Sequence, residues 1–248
     1  MLTSALLKLY DRIRFAGTSQ FDLKAVNRRL VARMKREFNH AEAMERAIGG
    51  GFEEIGRIEL AVLKEFGLEP GHSLIDVGCG AGRLAKPLSG YLQGSYLGID
   101  LVPDLVEHAR SISGRPDWKF EVIDHIGIPA PDNSADFVCF FSVLTHLLHE
   151  HSYWYLEEAR RVLKPGGRVV FSFLEIGNPL HQDIFWKTLR LAKARAVEPL
   201  NVFIERNAIE FWAHTLNMPL ERVVSGDDAI VSEGALGQSC AVLRKPEA

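Results

Sequence analysis

The first residues equipped for chemistry stand in one run, Leu74-Ile75-Asp76-Val77-Gly78-Cys79-Gly80-Ala81-Gly82-Arg83-Leu84. An apolar strand leads into three glycines at alternate positions, and a helical pattern follows. Glycine lets the backbone turn tightly and lets a ligand lie against bare main chain. The start of a helix then offers unpaired N–H groups. The next apolar run ends at Gly98-Ile99-Asp100, 22 residues beyond Gly78. A carboxylate at the end of a second strand is where ribose hydroxyls are held. The plain alternative for Asp100 is a helix cap before Pro103-Asp104. The glycine spacing is not that of a dinucleotide site, and no Walker Lys-Ser/Thr follows it. The pattern points to an adenosine-like cofactor.

A second polar group follows the apolar run DFVCFFSV and includes Ser142, His146, His149, Glu150 and His151. The C-terminal end of a strand in an open α/β sheet borders the ligand. His146 is expected to act as general base, because an imidazole pKa of about 6.5 suits proton uptake near neutrality. A helix-capping or substrate-contacting histidine is the plainer role. The three histidines do not share one helical face, so a solvated helix start is expected there rather than a metal site.

The elements that must position these groups alternate in type. SLIDVG, SYLGID, KFEVID, DFVCFFSV and RVVFSFLE read as strands, and RLAKPLSGYL, PDLVEHARSI and YWYLEEARRVL as helices. Such alternation marks βαβ units and a mostly parallel sheet. IGIPAPDNSA is too rich in Pro and Gly for a full helix. Upstream, Leu23, Val26, Leu30, Met34, Phe38, Ala41, Met44 and Ile48 form one stripe, which predicts a single helix from Asp22 to about Ile48. Gly49-Gly50-Gly51 ends it. A second helix is expected from Phe52 to Phe66, with Gly67 as its cap. Downstream, helices are expected near 181–196 and 206–216. ERVVSG and QSCAVLRK then read as an antiparallel addition at the sheet edge.

The composition bounds the function. The chain has 248 residues, 47% hydrophobic and 25% charged, which suits one large domain with a proper core. A net charge of -3 argues against a nucleic-acid protein. The exception is local: Lys24, Arg28, Arg29, Arg33, Lys35 and Arg36 put six basic residues into thirteen. Cys79, Cys139 and Cys240 form no zinc spacing and no disulfide framework, which fits a reducing compartment. MLTSALLKLYDRIR lacks the features of a secretory signal, and no apolar run reaches the roughly 18 residues of a membrane span. A cytoplasmic location is expected.

Taken together, residues 74–84, the acidic stretch 96–101, Val122-Ile123-Asp124, Ser134–Val138 and Leu163–Gly167 resemble, in order and spacing, the motifs of class I S-adenosylmethionine-dependent methyltransferases. The resemblance covers about 70–174 closely and the last strand pair more loosely. It implies an α/β fold: a Rossmann-like seven-stranded methyltransferase sheet, with five parallel strands and a C-terminal antiparallel edge pair, flanked by helices. Residues 1–70 would form an N-terminal helical lid and 71–248 the core. A helical insertion at 178–218, carrying Phe185, Trp186, Phe203, Phe211 and Trp212, would form part of an acceptor pocket or simply pack. The implied cofactor is S-adenosyl-L-methionine.

The same resemblance implies roles. Asp76 orients the loop and contacts the amino group of the methionine moiety. Gly78, Gly80 and Gly82 lie beside the sugar and amino-acid portion, with Cys79 packing among them. Asp100 takes the ribose hydroxyls, Leu101 packs on adenine, Asp124 accepts from its exocyclic amine, and His125 stacks near the ring. Ser142 lies beside the cofactor's methyl. Tyr10, Arg14 and Arg57 are candidates to close over the cofactor carboxylate. Phe140–Leu147 and Gly237–Lys245 resemble small bacterial methyltransferases, some associated with polysaccharide or lipid-linked sugar synthesis. A small-molecule or glycan hydroxyl is therefore the expected acceptor. An RNA or protein methyltransferase using the basic helix is the alternative, as is a non-catalytic cofactor binder. The Asn/Asp-Pro-Pro-Tyr/Phe motif of many amino-directed enzymes is absent, which counts against a planar-amine acceptor.

Overall fold

The expected βαβ alternation builds one seven-stranded sheet in the computed structural model, which describes residues 23–194 and 200–247. Its first three strands are β1 (Leu74–Val77), β2 (Tyr96–Asp100) and β3 (Lys119–Val122). They are followed by β4 (Ala135–Phe140), β5 (Leu163–Phe173), β6 (Leu220–Val224) and β9 (Ser239–Arg244). The order across the sheet is β3-β2-β1-β4-β5-β9-β6. β1 to β5 are mutually parallel. β9 runs antiparallel to both β5 and β6, with Phe171 opposite Ala241. A two-stranded ribbon of β7 (Ala229–Val231) and β8 (Gly234–Ala235), not foreseen in the sequence, lies between β6 and β9 in the chain.

The central strands are apolar on both faces because helices cover both. In β4, Val138 and Phe140 join one core cluster, while Phe137 and Cys139 join the other. The first cluster packs under α6 (His149–Val162) and α8 (Arg206–Thr215) through Leu156, Ala159 and Trp212. The second packs under α3 (Phe52–Glu65), the short α4 (Ala85–Leu88) and α5 (Pro103–Ser113). α7 (Pro179–Lys193) carries one buried residue, His181. Leaving β1, the chain goes to β2 on one side, and β4 lies on the other. This reversal opens a crevice at the strand ends, where doubly wound sheets bind ligands.

Two expectations need correction. The stripe from residue 22 to 48 forms two helices, α1 (Leu23–Glu37) and α2 (His40–Ala47). Asn39 breaks it by capping α2, its side chain accepting from the Glu42 N–H at 3.0 Å. Both helices keep the apolar stripe: Val31, Met34, Ala43 and Met44 pack with Val102 and Leu105 of the α5 region. The helix expected over RLAKPLSGYL is only four residues long. Pro87 cannot donate a backbone hydrogen bond, and Gly90 follows closely. Among the described residues no helix is long and apolar enough to cross a membrane.

Candidate functional site

The glycine turn is held by the strand beside it. Gly78 and Cys79 both donate their N–H to the Ile99 carbonyl, at 2.8 and 3.0 Å. Gly78 and Gly80 take φ values of +76° and +51°, the left-handed region that side chains disfavour. Asp100 clasps the turn: Oδ2 accepts from the Gly80 N–H and Oδ1 from the Val102 N–H, each at 3.0 Å. Each oxygen keeps a further lone pair for a ligand hydroxyl. Burial raises the Asp100 pKa, against the opposing pull of these N–H groups.

A cavity of about 370 Å³ opens above this turn. Asp76, Gly78, Cys79, Gly80, Asp100, Leu101, Ser142 and His146 all border it. Its wall includes apolar side chains, Leu101, Leu105 and Ile123 among them. It also includes the charged side chains Asp76, Glu59, Arg83 and Arg46. Such a composition fits a nucleoside joined to a zwitterionic amino acid.

The charged part of the wall is built across the fold. On α3, a Cβ at Gly56 would stand 2.3 Å from the Arg83 carbonyl, so only glycine allows this approach. One turn further along, Glu59 is 1% exposed and accepts from Arg83 Nη2 at 2.5 Å. Burial raises the Glu59 pKa, and Arg83 opposes the rise. Asp76 accepts from the Tyr96 hydroxyl at 2.8 Å. Burial lifts its pKa to about 7, with Tyr96 opposing and the nearby Glu59 charge adding to the rise. Glu59 and Arg83 carried no signal in the sequence, because they meet only when α3 docks on the glycine turn.

The fourth strand supplies the rest. Ser142 has φ +59° and donates its N–H to Ser172 Oγ at 2.7 Å. His146 lies on a single 3-10 turn, and its Nδ1 sits 2.6 Å from the Leu200 carbonyl. A carbonyl only accepts, so Nδ1 carries the proton and Nε2 keeps its lone pair. Burial lowers the His146 pKa, with the Leu200 bond opposing. A second cavity, of about 280 Å³, adjoins the first and shares Glu59, Arg83, Ser142 and His146 with it. Gln238, Ser172 and Ile184 border only the second.

Several sequence candidates fall elsewhere. Gly82 borders neither cavity; a Cβ there would stand 2.8 Å from Ala109 Cα, so it serves the packing of α5. Asp124 and His125 have side chains 65% and 74% exposed, lie 3.7 Å apart and border neither cavity, while Ile123 before them does. Arg57 is exposed on α3 and borders neither cavity; Arg46 and Arg83 are the cations at the wall. Tyr10 and Arg14 lie outside the described residues. His149 bonds the Phe203 carbonyl at 3.0 Å and packs edge-on to Trp212. Of the aromatic insertion, Trp186 and Phe211 are 51% and 63% exposed and border neither cavity. In the basic helix Arg28, Arg29 and Arg36 are exposed, and Lys35 pairs with Asp104 of α5.

Fold and site thus define a doubly wound domain with a nucleoside-cofactor crevice at its topological switch point. Comparison with known proteins narrows this. Residues 75–171 match the methyltransferase domain family. A phosphoethanolamine N-methyltransferase of Triticum aestivum is 33% identical over 136 residues, 52% of this chain and 26% of that protein. A malonyl-[acyl-carrier protein] O-methyltransferase of Hahella chejuensis is 29% identical over 157 residues, 63% of this chain and 53% of that protein. The chain thus spans about a quarter to a half of the length of these curated relatives. The solved magnesium protoporphyrin IX methyltransferase of Synechocystis PCC 6803, with bound SAH, superposes with a TM-score of 0.59 at 15% identity. That match covers 98% of this chain and 100% of that one. Residues 75–171 therefore form the core of a class I S-adenosylmethionine-dependent methyltransferase domain, with S-adenosyl-L-methionine as its cofactor.

Proposed function

We propose that this chain transfers a methyl group from S-adenosylmethionine to a hydroxyl of a small-molecule or sugar-type acceptor, with His146 as general base. The observation that carries the proposal is the tautomer of His146. Its Nδ1–H is committed to the Leu200 carbonyl, which leaves a lone pair on Nε2 at the wall shared by the two cavities.

The bound cofactor supplies an activated methyl: the acceptor oxygen forms the new C–O bond as the C–S bond breaks, with its electron pair going to sulfur. His146 Nε2 takes the hydroxyl proton, and the lowered pKa keeps the ring neutral and ready to do so. Asp100 holds the ribose hydroxyls through its spare lone pairs. Asp76 and Glu59 receive the ammonium group, and Arg46 the carboxylate. The N-terminal helices act as a lid, supplying Ile48 and Gly49 to the cavity walls. Closing the site over aligned reactants removes water and the entropy cost of bringing them together.

Calorimetric titration with S-adenosylmethionine and S-adenosylhomocysteine tests the base of the proposal. Micromolar binding is expected. It should weaken by roughly tenfold to a hundredfold in Asp100→Ala, the effect of losing a charged hydrogen-bond partner. No binding to folded wild-type protein would end the methyltransferase proposal.

A further inference from the structure

We infer that the second cavity is the acceptor subsite, that it takes an uncharged compound with a second oxygen beside the reacting hydroxyl, and that the Gln238 amide reads that second oxygen. This rests on the methyl-transfer proposal above. The second cavity shares Ser142 and His146 with the cofactor cavity, so its contents lie next to the cofactor and the base. Gln238 borders only the second cavity, so it is placed to touch acceptor rather than cofactor.

The orientation of Gln238 follows from its partners. Ser172 is 1% exposed, and its Oγ accepts the Ser142 N–H at 2.7 Å. The Ser172 hydroxyl donates in turn to Gln238 Oε1 at 2.7 Å. Flipping the amide would make Ser172 Oγ accept twice and strand its own proton in the interior, at the cost of an unmet buried donor. The amide oxygen is thereby fixed on Ser172, and the two Nε2 protons remain for a ligand oxygen.

The other walls set the ligand class. Among the described residues, the ionisable side chains there other than His146 are Glu59 and Arg83, and they pair with each other. A phosphate or carboxylate would find no cation among them that lacks a carboxylate partner. Ile48, Ile184 and Leu236 complete the walls with apolar surface that favours a carbon skeleton between the polar groups. One hydroxyl toward His146 and a neighbouring oxygen toward Gln238 satisfy both ends.

The test uses the full chain saturated with S-adenosylhomocysteine and reads ligand binding by saturation-transfer NMR. The probes are catechol and methyl α-D-glucopyranoside, each bearing neighbouring hydroxyls, with phenol and cyclohexanol as their single-hydroxyl counterparts. Glucose 6-phosphate is the charged control. Diol probes are expected to bind and the counterparts to bind at least about tenfold more weakly. Gln238→Glu keeps an oxygen for Ser172 but has no amide donor, so diol binding should fall by about tenfold. Its affinity for S-adenosylhomocysteine should stay within about twofold of wild type by calorimetry. Gln238→Leu should lose the diol as well. The inference is overturned if no diol binds, if phenol binds as well as catechol, if glucose 6-phosphate binds best, or if Gln238→Glu leaves diol binding intact. Failure of S-adenosylhomocysteine itself to bind would instead remove the methyl-transfer proposal and this inference with it.

Discussion

Two constellations in this protein use the same three residue types. Glu59, Arg83 and His146 border the paired cavities. Glu175, Arg206 and His181 lie where the end of β5 meets the starts of α8 and β9. Both oxygens of Glu175 are bonded. Arg206 binds them in a fork at 2.7 and 2.8 Å, and the Ser239 hydroxyl adds a bond at 2.5 Å. These partners, Arg206 first, hold the Glu175 pKa below the ordinary carboxylate value. Glu59 has one bond from Arg83, and for it burial prevails and the pKa rises. The histidines differ in their surroundings. His146 Nδ1 faces the Leu200 carbonyl alone, while His181 Nδ1 lies 3.0 Å from the Glu175 N–H and 3.2 Å from the Glu175 carbonyl. The residue types in a cluster therefore do not set its role. What sets it is whether the fold places them at the wall of a cavity, as it does Glu59, Arg83 and His146.

The sharpest way to break this contrast is to exchange the two histidines in turn. His146→Ala should lower methyl transfer by about 10²–10⁴, the usual worth of a positioned base, while S-adenosylhomocysteine binds as before. The assay would use an acceptor found by screening with isotope-labelled S-adenosylmethionine. His181→Ala should leave transfer nearly unchanged and lower the melting temperature instead. Equal losses of transfer in both variants would erase the distinction.

The two glutamates come next. Glu175→Ala removes the partner of the buried Ser239 hydroxyl and of a half-exposed Arg206, and should cost about 1–2 kcal/mol of stability, seen as an earlier unfolding midpoint in denaturant. Glu59→Gln keeps the shape and a hydrogen-bond acceptor for Arg83 but removes the counter-charge of a buried guanidinium, so its stability should fall by about 3 kcal/mol. Its affinity for S-adenosylhomocysteine should fall by roughly thirtyfold, the loss of one charge-assisted bond. A stability loss without an affinity loss in Glu59→Gln would place both pairs in the structural class.

The effects of pH at the two sites run in opposite directions. Asp76 has its pKa raised from the usual 3.8 to about 7. The folded protein therefore holds this proton more tightly than the unfolded chain. The resulting stability is fully present below about pH 4 and is lost as pH rises to about 7. Glu175, with a lowered pKa, contributes stability above its usual 4.5 that is lost as pH falls through the lowered value. Asp76→Asn should flatten the first trend in ligand-free unfolding curves and Glu175→Gln the second. An ammonium-bearing ligand prefers ionised Asp76, so S-adenosylhomocysteine affinity should drop by about tenfold from pH 8 to pH 6 in wild type. In Asp76→Asn that drop should vanish.

Legibility in the sequence tracks the distance between cooperating residues. The strand-turn-strand unit from Leu74 to Asp100 was readable because glycine geometry and an acid at a fixed spacing are properties of a continuous stretch. The single helix expected over 22–48 divides at one residue, Asn39, whose side chain competes for the backbone while the apolar stripe continues on both sides. Asp124 and Gly82 kept motif spacing yet took other places, since spacing cannot say which way the third strand's end turns or which glycine faces a neighbouring helix.

By itself, the sequence determined the order of elements, the parallel sheet, the glycine turn and its acidic partner, because local backbone preference and hydrophobic period act within a few residues. Only the tertiary structure decided that Glu59 meets Arg83, that Gln238 is fixed by Ser172, and that His146 rather than His181 faces a cavity. Those outcomes depend on which buried polar atoms find partners across 24 to 66 positions of chain, and that is settled by how whole elements pack.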